Sequence, residues 1–269
     1  MTRRFLILLV VLTFFALKCY PQNISNDNRL RDLVIQNGQA EVTIAFTTRK
    51  EADYLSRNLS ISSVKDEKIQ IVLSKETVEW FISHHYNYKI IERDEAKGIV
   101  SSLDIKQALE WETYPSYTQY DSIMHKFTDD YPSLCHLETI GTSVNGKLVL
   151  ALKISDNAAT DEDEPEVFYS STIHGDETGG YVLMLRLADF LLKNYFINSR
   201  VKNLVDNLEI WINPLANPDG TYRTGNTITS PTRNNANGKD LNRNFPDPDY
   251  PAIVQQKETL DMIKFMRKL

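Results

Sequence analysis

The sequence predicts an α/β protein in two parts: a three-layer α/β/α domain on a mixed sheet, preceded by a small α/β domain. Two observations carry this. Apolar, β-branched runs alternate with runs of helical period, the pattern of strands and helices packed in layers. A polar, charged stretch over residues 93–106, followed by Trp111-Glu112-Thr113-Tyr114-Pro115, divides that alternation in two. A chain of 269 residues, 42% hydrophobic and 25% charged, is long enough for a large domain with a smaller companion. The boundaries fall at 1–22 for a leader, 23–107 for the small domain and 108–269 for the large one.

The leader opens with Arg3 and Arg4, runs apolar from Phe5 to Leu17 and exits through Lys18-Cys19-Tyr20-Pro21-Gln22. A basic head, a short apolar core and a polar exit make a secretory signal peptide. The apolar run is short of the roughly 20 residues that a spanning helix needs. A secreted or periplasmic protein with no stable membrane span is expected. Cys19 raises a lipid-anchored alternative, but Lys18 fits poorly where an acylation site wants a small residue. After removal of the leader Cys135 is the remaining cysteine, so no disulfide staples the fold, and its place before a strand marks a buried, inert thiol.

In the small domain, residues 40–46 alternate as a strand, 48–58 read as a helix, and 68–73 form a second strand after the turn Lys65-Asp66-Glu67. Ser74 is placed as the N-cap of a helix whose apolar positions begin at Val78, and 88–91 form a further strand. His84 and His85 are adjacent, which on a helix points them about 100° apart, so they read as surface residues near a helix end. The domain is either a pro-domain over the catalytic face or a passive accessory domain.

In the large domain, Ser116 caps a helix carrying Tyr120, Ile123, Met124 and Phe127 at helical spacing, with His125 on its polar side. Strands 136–141 and 148–155 are joined at Asn145-Gly146, a hairpin turn signal. The acidic Asp161-Glu162-Asp163-Glu164 reads as an exposed loop without a calcium-ligand pattern. Residues 166–173 form a strand, 181–195 a helix apolar on more than one face, 208–213 an interior strand, and 253–268 a closing helix.

Between the strand ending at Ile173 and the helix from Tyr181 lies Ile173-His174-Gly175-Asp176-Glu177. A histidine and a carboxylate three apart at a strand-to-helix handover can converge on one point, as two zinc ligands do. Alone, this is also the composition of a surface turn before a helix N-terminus. Downstream come Asn213-Pro214-Leu215-Ala216-Asn217-Pro218-Asp219-Gly220, then Arg233-Asn234-Asn235-Ala236-Asn237-Gly238, then Asp240-Leu241-Asn242-Arg243-Asn244-Phe245-Pro246. Two arginines and several amides on a long loop suit an anionic ligand, because guanidinium pairs with carboxylate through two parallel bonds. The net charge of −6 and the lack of a basic stripe argue against a nucleic-acid partner.

Together these blocks resemble the zinc metallocarboxypeptidases of the carboxypeptidase A/B type, nearest in wording to the carboxypeptidase E/N/D branch. The resemblance runs from about Tyr114 to the end of the chain. It implies hydrolysis of the C-terminal peptide bond of peptides or proteins, with one Zn2+ ion as cofactor. By that resemblance His174 and Glu177 are its first two ligands, Arg233 polarises the scissile carbonyl, and Asn242 with Arg243 holds the substrate's terminal carboxylate. Asp176 stands where the pancreatic branch has an arginine and takes no role; Asp240 and Asn244 are read as loop-shaping. The family also uses a third, histidine ligand, a capping tyrosine and a general-base glutamate farther along. No histidine follows His174, so the expectation is the front part of a catalytic domain, inactive alone. A peptidoglycan-peptide amidase of the same family and a non-catalytic carboxylate-binding module are the alternatives.

Overall fold

Four antiparallel strands form the sheet of the first unit in a computed structural model that describes residues 20–92, 99–249 and 253–269. The expected leader lies outside these residues apart from positions 20–22. Helix α1 (Tyr20–Asn37), not foreseen from the sequence, sets Leu30 and Val34 one turn apart into the core. Strand β1 (Gln39–Ala45) buries Val42 and Ile44, and Thr48 caps α2 (Arg49–Asn58) by accepting the Glu51 N–H. Strand β2 (Ser60–Lys65) was missed. It pairs with β3 (Lys68–Ser74) through a tight turn in which Asp66 and Glu67 both take positive φ, 52° and 56°. That turn twists with the strands, and acidic residues there hide the usual Asn-Gly signal.

The expected cap Ser74 is instead the last residue of β3. Thr77 is the N-cap of α3 (Val78–Ser83), and its hydroxyl accepts the Ser74 N–H at 2.9 Å. Strand β4 (Tyr88–Ile91) completes the order β2-β3-β1-β4. His84 and His85 are exposed at the end of α3, and the His84 ring lies 3.8 Å from that of Trp80.

The chain divides into compact units at Glu92/Arg93, earlier than the 107/108 boundary read from composition. The reason is packing: Ile99, Ile105, Leu109, Trp111 and Tyr114, around the short helix α4 (Ile105–Ala108), lie against the core of the second unit. Helix α5 (Tyr117–Asp130) starts in a capping box, with Ser116 Oγ accepting from Gln119 N and Gln119 Oε1 accepting from Ser116 N. Its Tyr120, Ile123, Met124 and Phe127 are all buried, as their spacing requires.

The second sheet has the order β5-β6-β8-β7. Strands β5 (Cys135–Thr142) and β6 (Leu148–Ile154) are antiparallel across a turn in which Gly146 takes φ 82°. Strand β8 (Glu209–Asn213) is antiparallel to β6 and parallel to β7 (Glu166–Ser170), so the sheet is mixed. Side chains alternate across it. Leu150, Leu152, Ile154, Ile210 and Ile212 face α5, α6 (Thr178–Asn194) and α7 (Ser199–Val205), whereas Ala151 and Trp211 meet Phe265 of α9 (Lys257–Met266) on the other side. This is the three-layer arrangement that the alternation predicts.

Several details differ from the sequence reading. Strand β7 stops at Ser170, because Thr172 leaves the extended region with φ 58°. Helix α6 leaves Leu183 and Phe190 exposed by 59% and 48%, so it is buried along one side only. The last helix is shorter than 253–268. Glu209, the polar residue of β8, is buried against Lys153 Nζ at 2.5 Å, and its Oε1 also accepts the Glu162 N–H. Cys135 is buried, and burial pushes its thiol up to about 12. Among the described residues no helix is long and apolar enough to cross a membrane.

Candidate active site

The parallel pair β7/β8 ends at Ser170 and Asn213, and both chains then turn into loops at that carboxyl edge. This is where open α/β sheets place ligands, because the loops that follow neighbouring strands diverge and leave a crevice. Ile173 and His174 follow β7; Asn217, Pro218 and the short helix α8 (Pro218–Thr221) follow β8.

Close backbone approach joins these loops. The Gly175 N–H donates to Arg233 O (3.2 Å), and the Thr221 hydroxyl donates to Gly175 O (2.9 Å). A Cβ on Gly175 would lie 2.3 Å from Gly220 C, so only glycine fits. The fully buried Asn217 amide donates to Ile173 O (3.2 Å) and Arg233 O (3.3 Å) and accepts the Gly220 N–H (3.0 Å). One side chain thereby ties the His174 loop, the Asn-Pro-Asp-Gly turn and the Arg233 loop together. Asp219 accepts from Asn145 N and Lys147 Nζ, fastening the β5–β6 hairpin to the same turn. The start of α9 holds the other end: Glu258 and Gln256 accept from Asn235, and Asn244 binds Val254 O and Gln256 N. This is the loop-shaping role read for Asn244.

Within that frame His174 and Glu177 converge. His174 Nδ1 lies 2.8 Å from Glu177 Oε1, and His174 Nε2 lies 3.2 Å from Asp240 Oδ1. Arg233 joins them, with Nε 3.2 Å from Asp240 Oδ2 and Nη1 3.6 Å from Glu177 Oε1. His174 is only 5% exposed. Burial opposes its charged form, as does Arg233, but Asp240 and Glu177 outweigh both and hold its pKa above the ordinary histidine value.

The donor set fits a zinc ion held by two of its residues, His174 and Glu177. An imidazole nitrogen and a carboxylate oxygen meet at one point, while a second carboxylate fixes the opposite ring nitrogen, as metal-binding histidines require. Among the described residues no third histidine, cysteine or acid brings a ligand atom to the point where His174 Nδ1 meets Glu177, since Asp240 reaches the opposite ring nitrogen; the clusters of three acids lie elsewhere, at Asp156/Glu162/Glu164 and Asp161/Glu166/Glu209.

Asn242 and Arg243 stand on a 3-10 turn (Leu241–Arg243) that Asp240 caps by accepting the Asn242 N–H at 2.9 Å. Both are exposed, and among the described residues Arg243 Nη1 donates only to Asn242 O, at 3.2 Å. Their guanidinium and amide groups are open to a solute. Asp240 is the site residue that sequence reading missed. Besides shaping its loop it links His174 to Arg233, a role that a carboxylate ahead of Leu-Asn-Arg does not announce.

The chain is similar to known proteins. The profile of the zinc carboxypeptidase family matches residues 120–261, just over half the chain. Carboxypeptidase D of Homo sapiens is 35% identical over 156 residues, which are 56% of this chain and 11% of that protein. The carboxypeptidase N catalytic chain of Rattus norvegicus is 39% identical over 140 residues, 48% of this chain and 30% of that one. The chain thus spans less than a third of the length of either relative. Carboxypeptidase A of Helicoverpa armigera shares the fold, with a TM-score of 0.58 at 19% identity, over 86% of this chain and 66% of that one. With that profile matching more than half of its length and the fold shared, the chain belongs to the zinc carboxypeptidase family.

Proposed function

We propose that the chain is part of a zinc-dependent metallocarboxypeptidase that hydrolyses the C-terminal peptide bond of peptides or proteins, with further site residues supplied from outside these 269. The observation that carries this is the meeting of His174 Nδ1 and Glu177 Oε1 beside Arg233, below a turn that offers Asn242 and Arg243. His174 and Glu177 are the residues that would hold the zinc ion, which when bound makes water nucleophilic near neutral pH.

The rest of the reading concerns this chain's own groups. With the ion bound, Asp240 would accept the Nε2 proton of His174 and so leave the Nδ1 lone pair for the metal. Arg233 supplies a fixed positive charge for a carbonyl oxygen as it becomes negative. Arg243 pairs with a terminal carboxylate through its two-pronged fork and Asn242 adds a directed bond. An internal peptide offers no carboxylate to that pair, so chain ends are selected.

Full-length protein, assayed with one peptide carrying either a free or an amidated C-terminus, tests the proposal. Release of the last residue from the free acid alone is expected. Equal cleavage of both forms overturns it, and cleavage confined to muropeptides transfers the chain to the amidase reading.

The first unit is proposed as a pro- or accessory domain, and the leader-like residues 1–22 support secretion or a periplasmic location. Equal peptidase rates with and without residues 23–92 would remove an inhibitory role. The mass of the protein's mature N-terminus tests the leader.

A further inference from the structure

One buried residue beside the site holds a backbone conformation its side chain disfavours. Thr172 has φ 58°, the left-handed region, in which a β-branched side chain crowds its own backbone. Asp66, Glu67, His85, Trp111 and Ser230 also take positive φ, but none of them is β-branched. Such outliers persist where the surroundings over-determine them and concentrate at functional sites.

The surroundings of Thr172 do over-determine it. It is 4% exposed, its carbonyl accepts the Asn217 N–H at 3.0 Å, and its hydroxyl lies 3.2 Å from that of Ser171. The same hydroxyl donates to Glu177 O at 3.2 Å. Glu177 is the N-cap of α6, and its own side chain makes no cap bond. Thr172 thus bends the chain out of β7 two residues before His174 and fastens the peptide of the other proposed ligand five residues on.

We propose that Thr172 is a positioning residue for the His174–Glu177 pair: its left-handed turn and its hydroxyl bond to Glu177 O set the 2.8 Å approach of the two ligands. The inference rests on the reading of both as metal ligands. A residue that merely ended the strand would need the turn but not the hydroxyl. A hydroxyl without a ligand-setting role would affect stability and leave metal binding alone.

The test uses the 269-residue chain and Zn2+ alone, with affinity measured by competition against a chromophoric chelator and the metal located by the 15N shifts of the His174 imidazole. Thr172→Ser keeps the donor and is expected to bind zinc within about threefold of the wild type, whereas Thr172→Val and Thr172→Gly weaken binding about tenfold or more, the scale of an outer-shell loss. Thr172→Gly adopts positive φ freely, so it loses only the side chain and remains informative if the valine variant fails to fold. Circular dichroism is to match the wild type in each variant that is scored. Wild-type affinity in Thr172→Gly, or a loss in Thr172→Ser equal to that in the valine variant, overturns the role. If wild type and His174→Ala bind zinc equally, the ligand reading itself fails and takes this inference with it. Binding through His174 that is indifferent to Thr172→Gly removes only the positioning role.

Discussion

Asp240 Oδ1 lies 3.2 Å from His174 Nε2, so a residue 66 positions downstream fixes the face that the imidazole turns toward Glu177. The other oxygen of the same carboxylate holds Arg233 Nε at 3.2 Å. Replacement by asparagine keeps the shape and removes the charge that both partners use. Asp240→Asn is expected to weaken zinc binding about 10- to 100-fold, as loss of a partner behind a ligating histidine does. Competition titration reads this directly, and an affinity within about twofold of the wild type would contradict the role.

Arg243 offers an exposed guanidinium whose sole protein partner among the described residues is a neighbouring carbonyl. In the full-length protein Arg243→Ala is expected to cost about 1.5–3 kcal/mol of affinity for a free-carboxylate peptide. Arg243→Lys should recover only part of it, because an ammonium lacks the two-pronged fork. Binding that is unchanged by the alanine substitution rules out the clamp.

Two protein ligands leave a zinc ion mostly to water, whereas catalytic sites use three and keep one open position. The 269-residue chain alone is therefore expected to bind zinc weakly and to show no useful turnover of a blocked dipeptide. Turnover at the rate of an ordinary carboxypeptidase would mean that the described residues complete the site in a way the geometry does not reveal.

The Lys153–Glu209 pair is buried inside the sheet, with Nζ also donating to Thr160 O. Lys153→Met leaves a carboxylate uncompensated at 1% exposure and is expected to destabilise the second unit by about 3–5 kcal/mol. Replacing both members by apolar residues should restore most of that loss. Urea unfolding of the single and double variants decides between a structural pair and an indifferent one.

Burial raises the Cys135 thiol to about 12, so the neutral form prevails up to strongly alkaline pH. The thiolate is the reactive species. Alkylation of Cys135, followed by mass spectrometry of its peptide, should stay slow from pH 7 to 9 in the native chain and become fast in denaturant. Fast native labelling at pH 7 would show that the strand opens.

What the sequence by itself determined is whatever local periodicity and local chemistry encode. Ser116 announces its helix cap, Tyr120 to Phe127 their helix face, Asn145-Gly146 its turn, and residues 208–213 an interior strand. His174 and Glu177 were legible because a spacing of three positions at a strand-to-helix handover lets an imidazole and a carboxylate converge, as they do here at 2.8 Å. Strand β2 and helix α1 were not legible. The turn between β2 and β3 puts Asp66 and Glu67 where glycine is usual, and α1, among the residues whose burial is described, buries only Leu30 and Val34 in a run rich in Asn, Asp and Arg. The domain boundary was placed late because composition cannot show that Ile99 and Ile105 pack against a distant core. Tertiary structure alone decided that Asp240 reaches His174, that Asn217 ties three segments through two carbonyls and one N–H, and that Thr172 is held in a left-handed turn. Each depends on contacts between segments far apart in the chain, and a spacing rule can describe only what one segment does to itself.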